Sequence, residues 1–312
     1  MFRKIFALIV LLFISPANAN DLTVILPAAE DSHAINARIL GRHLQRYTNQ
    51  SVVYRVVPGA ASAAAAHHLY NIAPKDGNTI GVFFKNIPLV SAIGTQNFNF
   101  DATKFTWLGS TADGRKDAVL LLTNKPYESG LIVGSDNVIA ADPIRFIRMS
   151  TDLDLKQIMG YKNQTEIRLA LERGEIDAMV NSLIGIKTSR PHWLLPDSKI
   201  KVVLQFGNGK ERHPNFPNVP TLAEIISPEY QRLLSLFETQ FTLLRPYVAP
   251  PGIPQDRVKF LREAFTKAVL DPQYVEEANK ANIEVNLVNW EEAERIVNII
   301  SSSNRMELDL LR

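Results

Sequence analysis

The sequence predicts an α/β protein, because short apolar runs of strand length alternate with segments of helical periodicity along most of the chain. The first run, Leu22–Leu26, ends at a proline, and the second, Val52–Val57, ends at Pro58-Gly59, which is a turn signal. Between these two runs, residues 33–47 carry apolar side chains at helical spacing. The repeated strand–helix–strand order favours mostly parallel sheets.

The same alternation continues to the end of the chain. Further strands are predicted in apolar or β-branched runs at Thr79–Phe84, Ala118–Thr123, Gln157–Met159, Ile176–Val180, Ile200–Gln205 and Ile283–Val288. Helices are predicted where alanine or helically spaced apolar residues dominate, over Ala60–Ala73, Glu166–Arg173, Val258–Val269 and Trp290–Ile300. No internal repeat or low-complexity linker divides this order.

Length and composition narrow the class of protein. The chain has 312 residues, of which 46% are hydrophobic and 21% charged, as in globular proteins large enough for two domains. It contains no cysteine, which excludes disulfides, thiol nucleophiles and cysteine-ligated metal centres. The formal charge of +2 argues against a nucleic-acid-binding protein, because such proteins carry a basic excess.

The N-terminus has the three parts of a secretory signal peptide. Arg3 and Lys4 precede the apolar run Ile5–Ile14, and small residues at 17–19 form a cleavage site after Ala19. The run is shorter than the roughly 20 apolar residues that a membrane-spanning helix needs. We therefore expect residues 1–19 to be removed and the mature protein to be exported. Export without cysteine is typical of a bacterial periplasm.

The common catalytic patterns are missing from the sequence. It contains no G-x-S-x-G, no H-E-x-x-H and no P-loop, so no enzymatic activity is predicted. His67 and His68 are adjacent, but neighbours on a helix point in different directions and rarely share a metal ion. We expect neither a metal site nor a cofactor.

Several short motifs follow one another in a set order. They are Pro58–Ala61, Ala73–Thr79, Phe105–Ser110, Gly160–Asn163, Leu171–Asp177, Asn218–Glu224 and Ala249–Pro254. In this order they resemble the extracytoplasmic solute receptors of tripartite tricarboxylate transporters, also called Bug-type binding proteins. The match spans nearly the whole mature chain. Each motif alone is weak, but the ordered set is specific.

The resemblance implies a type II periplasmic-binding-protein fold, in which two α/β lobes joined by a hinge face each other across a cleft. Residues 20–118 and 245–312 would form lobe 1, and residues 119–244 would form an inserted lobe 2, with crossings near 115–125 and 238–248. It also implies a small organic anion as the usual ligand, held largely by backbone amides and waters. The expected partners are this solute and a membrane permease. We expect a monomer, because a receptor that closes about a hinge needs free lobes.

Strand–helix junctions are the candidate binding positions, since ligands of open sheets bind beyond the C-terminal strand ends, where helix N-termini present free N–H groups. Four junctions qualify: Ala28, Ala29, Glu30, Asp31 and Ser32; Gly59, Ala60, Ala61 and Ser62; Tyr161, Lys162, Asn163, Gln164 and Thr165; and Asn181 with Ser182. Each could equally be a capped turn without ligand contact. Lys85 and Ser135, in the segments 85–86 and 135–137, are weaker candidates that are more typical of solvated turns.

One junction departs from the family pattern. Related receptors usually carry a Gly-Gly pair and then an aspartate after the first strand, where this chain has Glu30, Asp31 and Ala34. Two carboxylates at the mouth of a cleft would repel an anion, which leads to the hypothesis of a ligand with a cationic or neutral head group. The alternative, which we favour slightly, is that Asp31 or Ser32 only caps the following helix.

Three functions are compatible with these features. The first is a transport receptor that closes its lobes around a solute and docks on a permease. The second is a sensory module of the same fold that delivers its ligand to a signalling receptor. The third is an exported hydrolase or lyase whose catalytic groups are brought together only in space. The resemblance favours the first.

Overall fold

The computed structural model describes residues 21–94, 98–127, 130–136 and 142–312. The predicted signal peptide, residues 1–19, and Asn137 lie outside the described residues. Two five-stranded sheets, each flanked by helices, form two lobes, which confirms the predicted α/β class and two-lobed architecture. Within the described ranges, none of the helices has both the length and the apolar character needed to cross a bilayer.

The strands of the described residues are short. They are β1 (Leu22–Leu26), β2 (Val52–Val56), β3 (Thr79–Val82), β4 (Thr106–Ser110), β5 (Val119–Thr123), β6 (Leu131–Asp136), β7 (Leu155–Tyr161), β8 (Ala178–Ser182), β9 (Lys201–Phe206) and β10 (Pro246–Ala249). The predicted strands at 22–26 and 52–57 match β1 and β2 closely. Strands β4, β6 and β10 were not among the predicted strands.

The α-helices of the described residues are α1 (Ser32–Thr48), α2 (Ala63–Asn71), α3 (Ile87–Ile93), α4 (Pro143–Ser150), α5 (Gln164–Arg173), α6 (Leu183–Ser189), α7 (Leu222–Ile225), α8 (Gln231–Thr239), α9 (Gln255–Leu270), α10 (Pro272–Lys280), α11 (Trp290–Ser301) and α12 (Arg305–Leu310). Residues that favour the start of a helix are visible in the sequence at several of these positions. Asp31, for example, caps α1, and Asp271 caps α10 ahead of a proline at its first turn.

Both sheets are mixed, but in each of them four of the five strands run in one direction and a single strand runs against them, as expected for mostly parallel sheets. The first sheet has the order β2-β1-β3-β10-β4, in which β1 is parallel to β2 and β3, and β10 is antiparallel to β3 and β4. The second has the order β7-β6-β8-β5-β9, with β6 parallel to β7 and β8, and β5 antiparallel to β8 and β9. Strand β5 is the first strand that the chain forms in the second sheet, and β10 is the strand that it forms on returning to the first sheet.

Two predicted elements differ from the structure. The segment Ile283–Val288 is not a strand, because only Val288 forms a bridge, with Ser110 at the end of β4. Helix α2 begins at Ala63 instead of Ala60, because residues 60–62 have positive φ angles that an α-helix cannot contain.

The hydrophobic core contains one cluster that both lobes share and one cluster that belongs to each lobe alone. On one face, a single buried cluster contains residues of both sheets, and within it the rings of Phe146 and Phe237 stack at 4.7 Å. On the other face, each lobe has its own cluster, with Phe265 in the first and Trp193 in the second. The chain passes between the sheets after β4 and returns before β10. The boundaries at 118 and 244 stay a prediction.

Candidate functional site

The junction after β2 is held in an unusual backbone conformation. Gly59, Ala60, Ala61 and Ser62 have φ angles of 125°, 51°, 46° and 70°. A left-handed conformation costs an L-residue about 1–2 kcal/mol, so this loop stores strain over three consecutive residues. Ser62 is buried, its side chain does not cap α2, and its Oγ accepts a hydrogen bond from Phe84 N at 3.0 Å. That bond ties the loop after β2 to the loop after β3.

The junction after β1 is a helix cap. Asp31 Oδ1 accepts the Ala34 N–H at 2.8 Å, and Asp31 Oδ2 lies 3.5 Å from His33 Nδ1. Burial alone would raise the pKa of Asp31, but His33 and the backbone amides lower it below its ordinary value. Glu30 and Ser32 are exposed. The structure therefore shows the capping role for Asp31, and a ligand contact by residues 28–32 stays a prediction.

Basic side chains of lobe 1 converge on the second crossing. His33 Nε2 donates to Leu244 O at 3.3 Å, and the Lys85 Nζ lies 4.7 Å from the centre of the Phe241 ring. Burial lowers the pKa of Lys85, Arg245 lowers it further, and Asp117 partly opposes both effects. Burial likewise lowers the pKa of His33, against the attraction of Asp31. Lys85, predicted as a solvated turn residue, is half-buried instead, because its stem packs at the crossing.

Arg245 lies within the crossing itself and is 4% exposed. Its Nη1 donates to Glu284 O at 3.3 Å, while its Nε has no hydrogen-bond partner among the residues that the structure describes. Burial lowers the pKa of Arg245, although neighbouring tyrosines and Asp117 oppose that shift. A buried guanidinium is normally satisfied by several hydrogen bonds, so the unpartnered Nε is unusual for a protein interior.

The junctions of lobe 2 are capped by their own side chains. Asn163 Oδ1 accepts the N–H groups of Thr165 and Glu166 at 3.0 and 3.1 Å, and Glu166 Oε2 accepts the Lys162 N–H at 2.9 Å. Thr165 Oγ1 accepts a hydrogen bond from Arg168. This reciprocal pattern satisfies several amides at the start of α5 without a ligand.

The turn from β8 into α6 is capped in the same way. Ser182 Oγ accepts the Gly185 N–H at 3.1 Å, and Asn181 Oδ1 accepts the Ser182 N–H at 2.8 Å. The carboxylate of Asp117, at the first crossing, also caps this turn, because its Oδ1 accepts the Ile184 N–H at 2.9 Å. Asp117 is 6% exposed, and its burial raises the pKa of this carboxyl to about 6.

Three further predicted residues have less exposed positions. Ser135 is buried in β6, opposite Met159. Tyr161 is the last residue of β7 and is half-buried, and Gln164 is the first residue of α5. A role in ligand binding for these residues stays a prediction.

A cavity of about 330 Å³ lies between the lobes. Its walls come from the first crossing, from α6 and the loop at His213, and from the end of α10 with the segment that follows it: Asp117, Leu183, Ile184, Lys187, His213, Asn279, Asn282, Ile283 and Glu284. The predicted turn at Asn181 and Ser182 adjoins this cavity in sequence, whereas residues 28–32, 59–62 and 161–165 do not line it. A second cavity of about 470 Å³, lined by Arg115 and Gln205 among others, also includes His213.

Sequence reasoning missed Asp117, Arg245 and Glu284. A signal for Arg245 was present, since it is a lone charge in the apolar stretch 241–249 at the predicted second crossing. Asp117 likewise directly precedes the apolar run of β5. Glu284 carries no such signal, because its position depends on how the segment after α10 crosses the end of β4.

Comparison with known proteins supports the resemblance carried by the motifs. No protein-family profile matches the chain. A curated relative from Cupriavidus necator, described as a UPF0065 protein in the gbd 5' region, is 25% identical, over 84% of this chain and 78% of the relative.

Solved structures of solute-binding proteins share the fold. A TctC solute-binding protein from Polaromonas superposes with a TM-score of 0.66 at 15% identity, covering 94% of this chain and 98% of that one. MatC from Rhodopseudomonas palustris, solved with bound malate, gives a TM-score of 0.65 at 18% identity, covering 94% and 99%. The chain is therefore similar in fold to TctC-type solute-binding proteins over nearly its whole length, which confirms the resemblance seen in its motifs.

Proposed function

We propose that this protein is a periplasmic solute-binding receptor, which captures a small organic solute between its lobes and delivers it to a membrane transporter. The observation that carries the proposal is the two-lobed fold itself, which matches a malate-bound protein along nearly the entire chain. The interlobe cavity of about 330 Å³ is of a size suited to a small metabolite.

Closure about the two crossings would create the bound state. The cavity is lined by residues of α6 in lobe 2 and by residues near the end of α10 in lobe 1, so a solute in it would contact both lobes. Such a ligand stabilises the closed arrangement by the difference in its affinity for the two states. The closed form is then the one that a permease distinguishes from the empty receptor.

The exported location rests on the signal-peptide pattern at residues 1–19 and on the kind of protein that shares this fold. A permease partner and a monomeric receptor complete the proposal. Light scattering of the mature chain tests whether the receptor is a monomer, and an obligate dimer would contradict this part of the proposal.

A thermal-shift screen tests the function. Residues 20–312 are mixed with C4–C6 dicarboxylates, amino acids and their amides, at matched ionic strength. A true ligand at about 100 times its Kd adds roughly 2.7 kcal/mol to the free energy of unfolding, which raises Tm measurably. No shift with any small solute would overturn the proposal.

Two further measurements separate a receptor from an enzyme and from an adventitious binder. Small-angle scattering is expected to show a smaller radius of gyration when the solute is bound. NMR of the solute after long incubation is expected to show it unchanged, and conversion into a product would contradict a receptor function.

A further inference from the structure

The interlobe cavity of about 330 Å³ has two acidic residues in its wall. Asp117 comes from the first crossing, and Glu284 comes from the segment between α10 and α11. Asn279 and Asn282 add side-chain amides to the same wall. Because both acidic residues line one cavity of this size, a single small molecule in it would be able to contact both of them.

Neither carboxylate is neutralised by a basic side chain that the structure describes. No lysine, arginine or histidine nitrogen of those side chains lies within 4.0 Å of a carboxylate oxygen of Asp117 or Glu284. Their donors are neutral, since Asp117 accepts the Ile184 N–H at 2.9 Å and the side chain of Glu284 accepts a hydrogen bond from the Asn286 amide. Asp117 is only 6% exposed, and a buried charge is normally paired, because desolvation without a counter-charge is costly.

The other ionisable residues of the cavity leave its charge negative. His213 is neutral, because its Nδ1 accepts the Asn215 N–H at 3.1 Å, and because burial and the charge of Lys187 lower its pKa. Among the described residues that line the cavity, Lys187 alone is positively charged, and it is exposed in the last turn of α6. Two carboxylates therefore face one exposed ammonium, and the cavity favours a positively charged group.

An organic cation suits this wall better than a metal ion does. Within the described residues, no group of three or more histidine, aspartate or glutamate side chains could hold a metal ion. A calcium ion takes roughly six to eight oxygen ligands, more than Asp117, Glu284 and two asparagines would supply. An ammonium group donates only a few hydrogen bonds, which two carboxylates and an amide oxygen can accept.

We propose that the solute carries a protonated amine and that Asp117 and Glu284 hold this ammonium group in the interlobe cavity. This inference rests on the proposed receptor function and names a class of solute for it. Charge-assisted hydrogen bonds from the ammonium to the two carboxylates would supply the positive charge that this wall lacks. The amide oxygens of Asn279 and Asn282 are further acceptors in the same wall.

The hypothesis of a cationic or neutral head group thus gains a different basis. In the sequence it depended on Glu30 and Asp31, but Asp31 caps α1 and neither residue lines the cavity. The proposal moves the acidic contact from the junction after β1 to the first crossing and the segment after α10.

Two sets of matched solutes test the charge. 4-Aminobutyrate, 4-hydroxybutyrate and succinate share one terminal carboxylate and differ at the other end, which carries an ammonium, a hydroxyl or a carboxylate. 5-Aminovalerate, 5-hydroxyvalerate and glutarate repeat the comparison with a longer chain, and putrescine and cadaverine carry an ammonium at both ends. At matched ionic strength, the increase in Tm is expected to be largest with a solute that carries an ammonium.

The possible results separate this inference from the receptor function. If hydroxy acids or dicarboxylates raise Tm at least as much as the amines do, the receptor function stands and this inference fails. If no solute of these sets or of the earlier screen raises Tm, the receptor function fails first and the inference fails with it.

Isothermal titration of Glu284→Gln distinguishes a contact with the ammonium from a structural role. Glutamine keeps the length of the side chain and an acceptor for Asn286 but removes the charge, so the Tm of the empty receptor is expected to be nearly unchanged. Affinity for the amine with the largest increase in Tm is expected to fall at least about tenfold, whereas affinity for its hydroxyl analogue is expected to change little. Unchanged affinity for the amine would overturn the proposal.

Glu263→Gln is the matched control, because Glu263 is exposed in α9 and lines neither of the two cavities. It makes the same chemical change and is expected to leave the affinity for the amine unchanged. Asp117→Asn, which keeps an acceptor for the Ile184 N–H, is expected to weaken binding of the amine as well. If Glu284→Gln does not fold, Asp117→Asn decides the question against the same control.

Discussion

Two strand–helix junctions that the sequence presents as equivalent are built in opposite ways. In lobe 2, Asn163 caps α5 and the backbone around it is relaxed. In lobe 1, the loop Gly59–Ser62 has four consecutive positive φ angles, and no side chain caps α2. The first junction satisfies its own amides, whereas the second is held in place by contacts from elsewhere, such as the bond from Phe84 N to Ser62 Oγ.

The two junctions are therefore stabilised from different sources, one by its own side-chain cap and the other by contacts with the loop after β3. Strained backbone persists only where the surrounding structure fixes it, and it concentrates at sites with a function. In lobe 1 the ammonium of Lys85 lies over the Phe241 ring, while lobe 2 contributes capped helix ends.

Replacing Asp117, which lies at the first crossing between the sheets, has the largest expected effect. Its pKa is raised from 3.8 to about 6 in the folded protein, so the protonated carboxyl stabilises the fold fully below pH 4, and this contribution is lost as the pH rises through 6. The shift corresponds to roughly 3 kcal/mol. Asp117→Asn is neutral at every pH and can still accept the Ile184 N–H.

Urea unfolding measures this effect. Between about pH 4 and about pH 7 the unmodified chain is expected to lose stability that Asp117→Asn keeps. The free energy of unfolding of the variant minus that of the unmodified chain is therefore expected to increase by up to about 3 kcal/mol over this range. A difference that does not change with pH would show that Asp117 is not buried as a charged group.

Gly59→Ala tests the strained junction directly. Gly59 has φ 125° and ψ 151°, a region that is essentially restricted to glycine. A Cβ at this position would meet only Ala64 Cβ at 3.6 Å, an ordinary contact, so the loss reports backbone strain and not a clash. Denaturant unfolding is expected to show a loss of about 2 kcal/mol. A loss below about 0.5 kcal/mol would mean that the loop relaxes freely.

Asn163→Ala tests the capped junction. Loss of the side-chain oxygen leaves the amides of Thr165 and Glu166 without their cap, and the free energy of unfolding is expected to fall by about 1 kcal/mol. Asn163→Asp, which keeps the acceptor, is the control and is expected to be close to unchanged. Solute affinity is expected to stay within about twofold in both variants, and a larger loss would assign Asn163 to the binding site.

Ala61→Gly has the smallest expected effect, and its sign is informative. Glycine removes the left-handed strain at residue 61, where Ala61 has φ 46°, and this stabilises the folded state. Glycine also raises the conformational entropy of the unfolded chain, which opposes folding, so a net stabilisation of about 0.5 kcal/mol is expected. Ala64→Gly, in the first turn of α2, is the control and is expected to lose about 1 kcal/mol. Equal losses in the two variants would contradict the strain at residue 61.

The sequence by itself determined the α/β class, the strands β1 and β2 and several helix boundaries, because these depend on local periodicity and on caps such as Asn163. It also placed Lys85 and the junctions at strand ends, since strands of a parallel pair end at one edge. It did not determine which junctions are capped and which are strained, because Asn163 and Ser62 are both ordinary capping residues in sequence.

The surroundings of the charged residues at the two crossings depend on the tertiary structure. Arg245, Lys85 and Asp117 come from three separate segments, and the burial of Arg245 and Asp117 exists only once both crossings are in place. The same holds for the mixed order of the sheets, because the direction in which β5 and β10 enter depends on the paths of the connections between the lobes. Local patterns specify elements, whereas desolvation and charge pairing depend on neighbours that are distant along the chain.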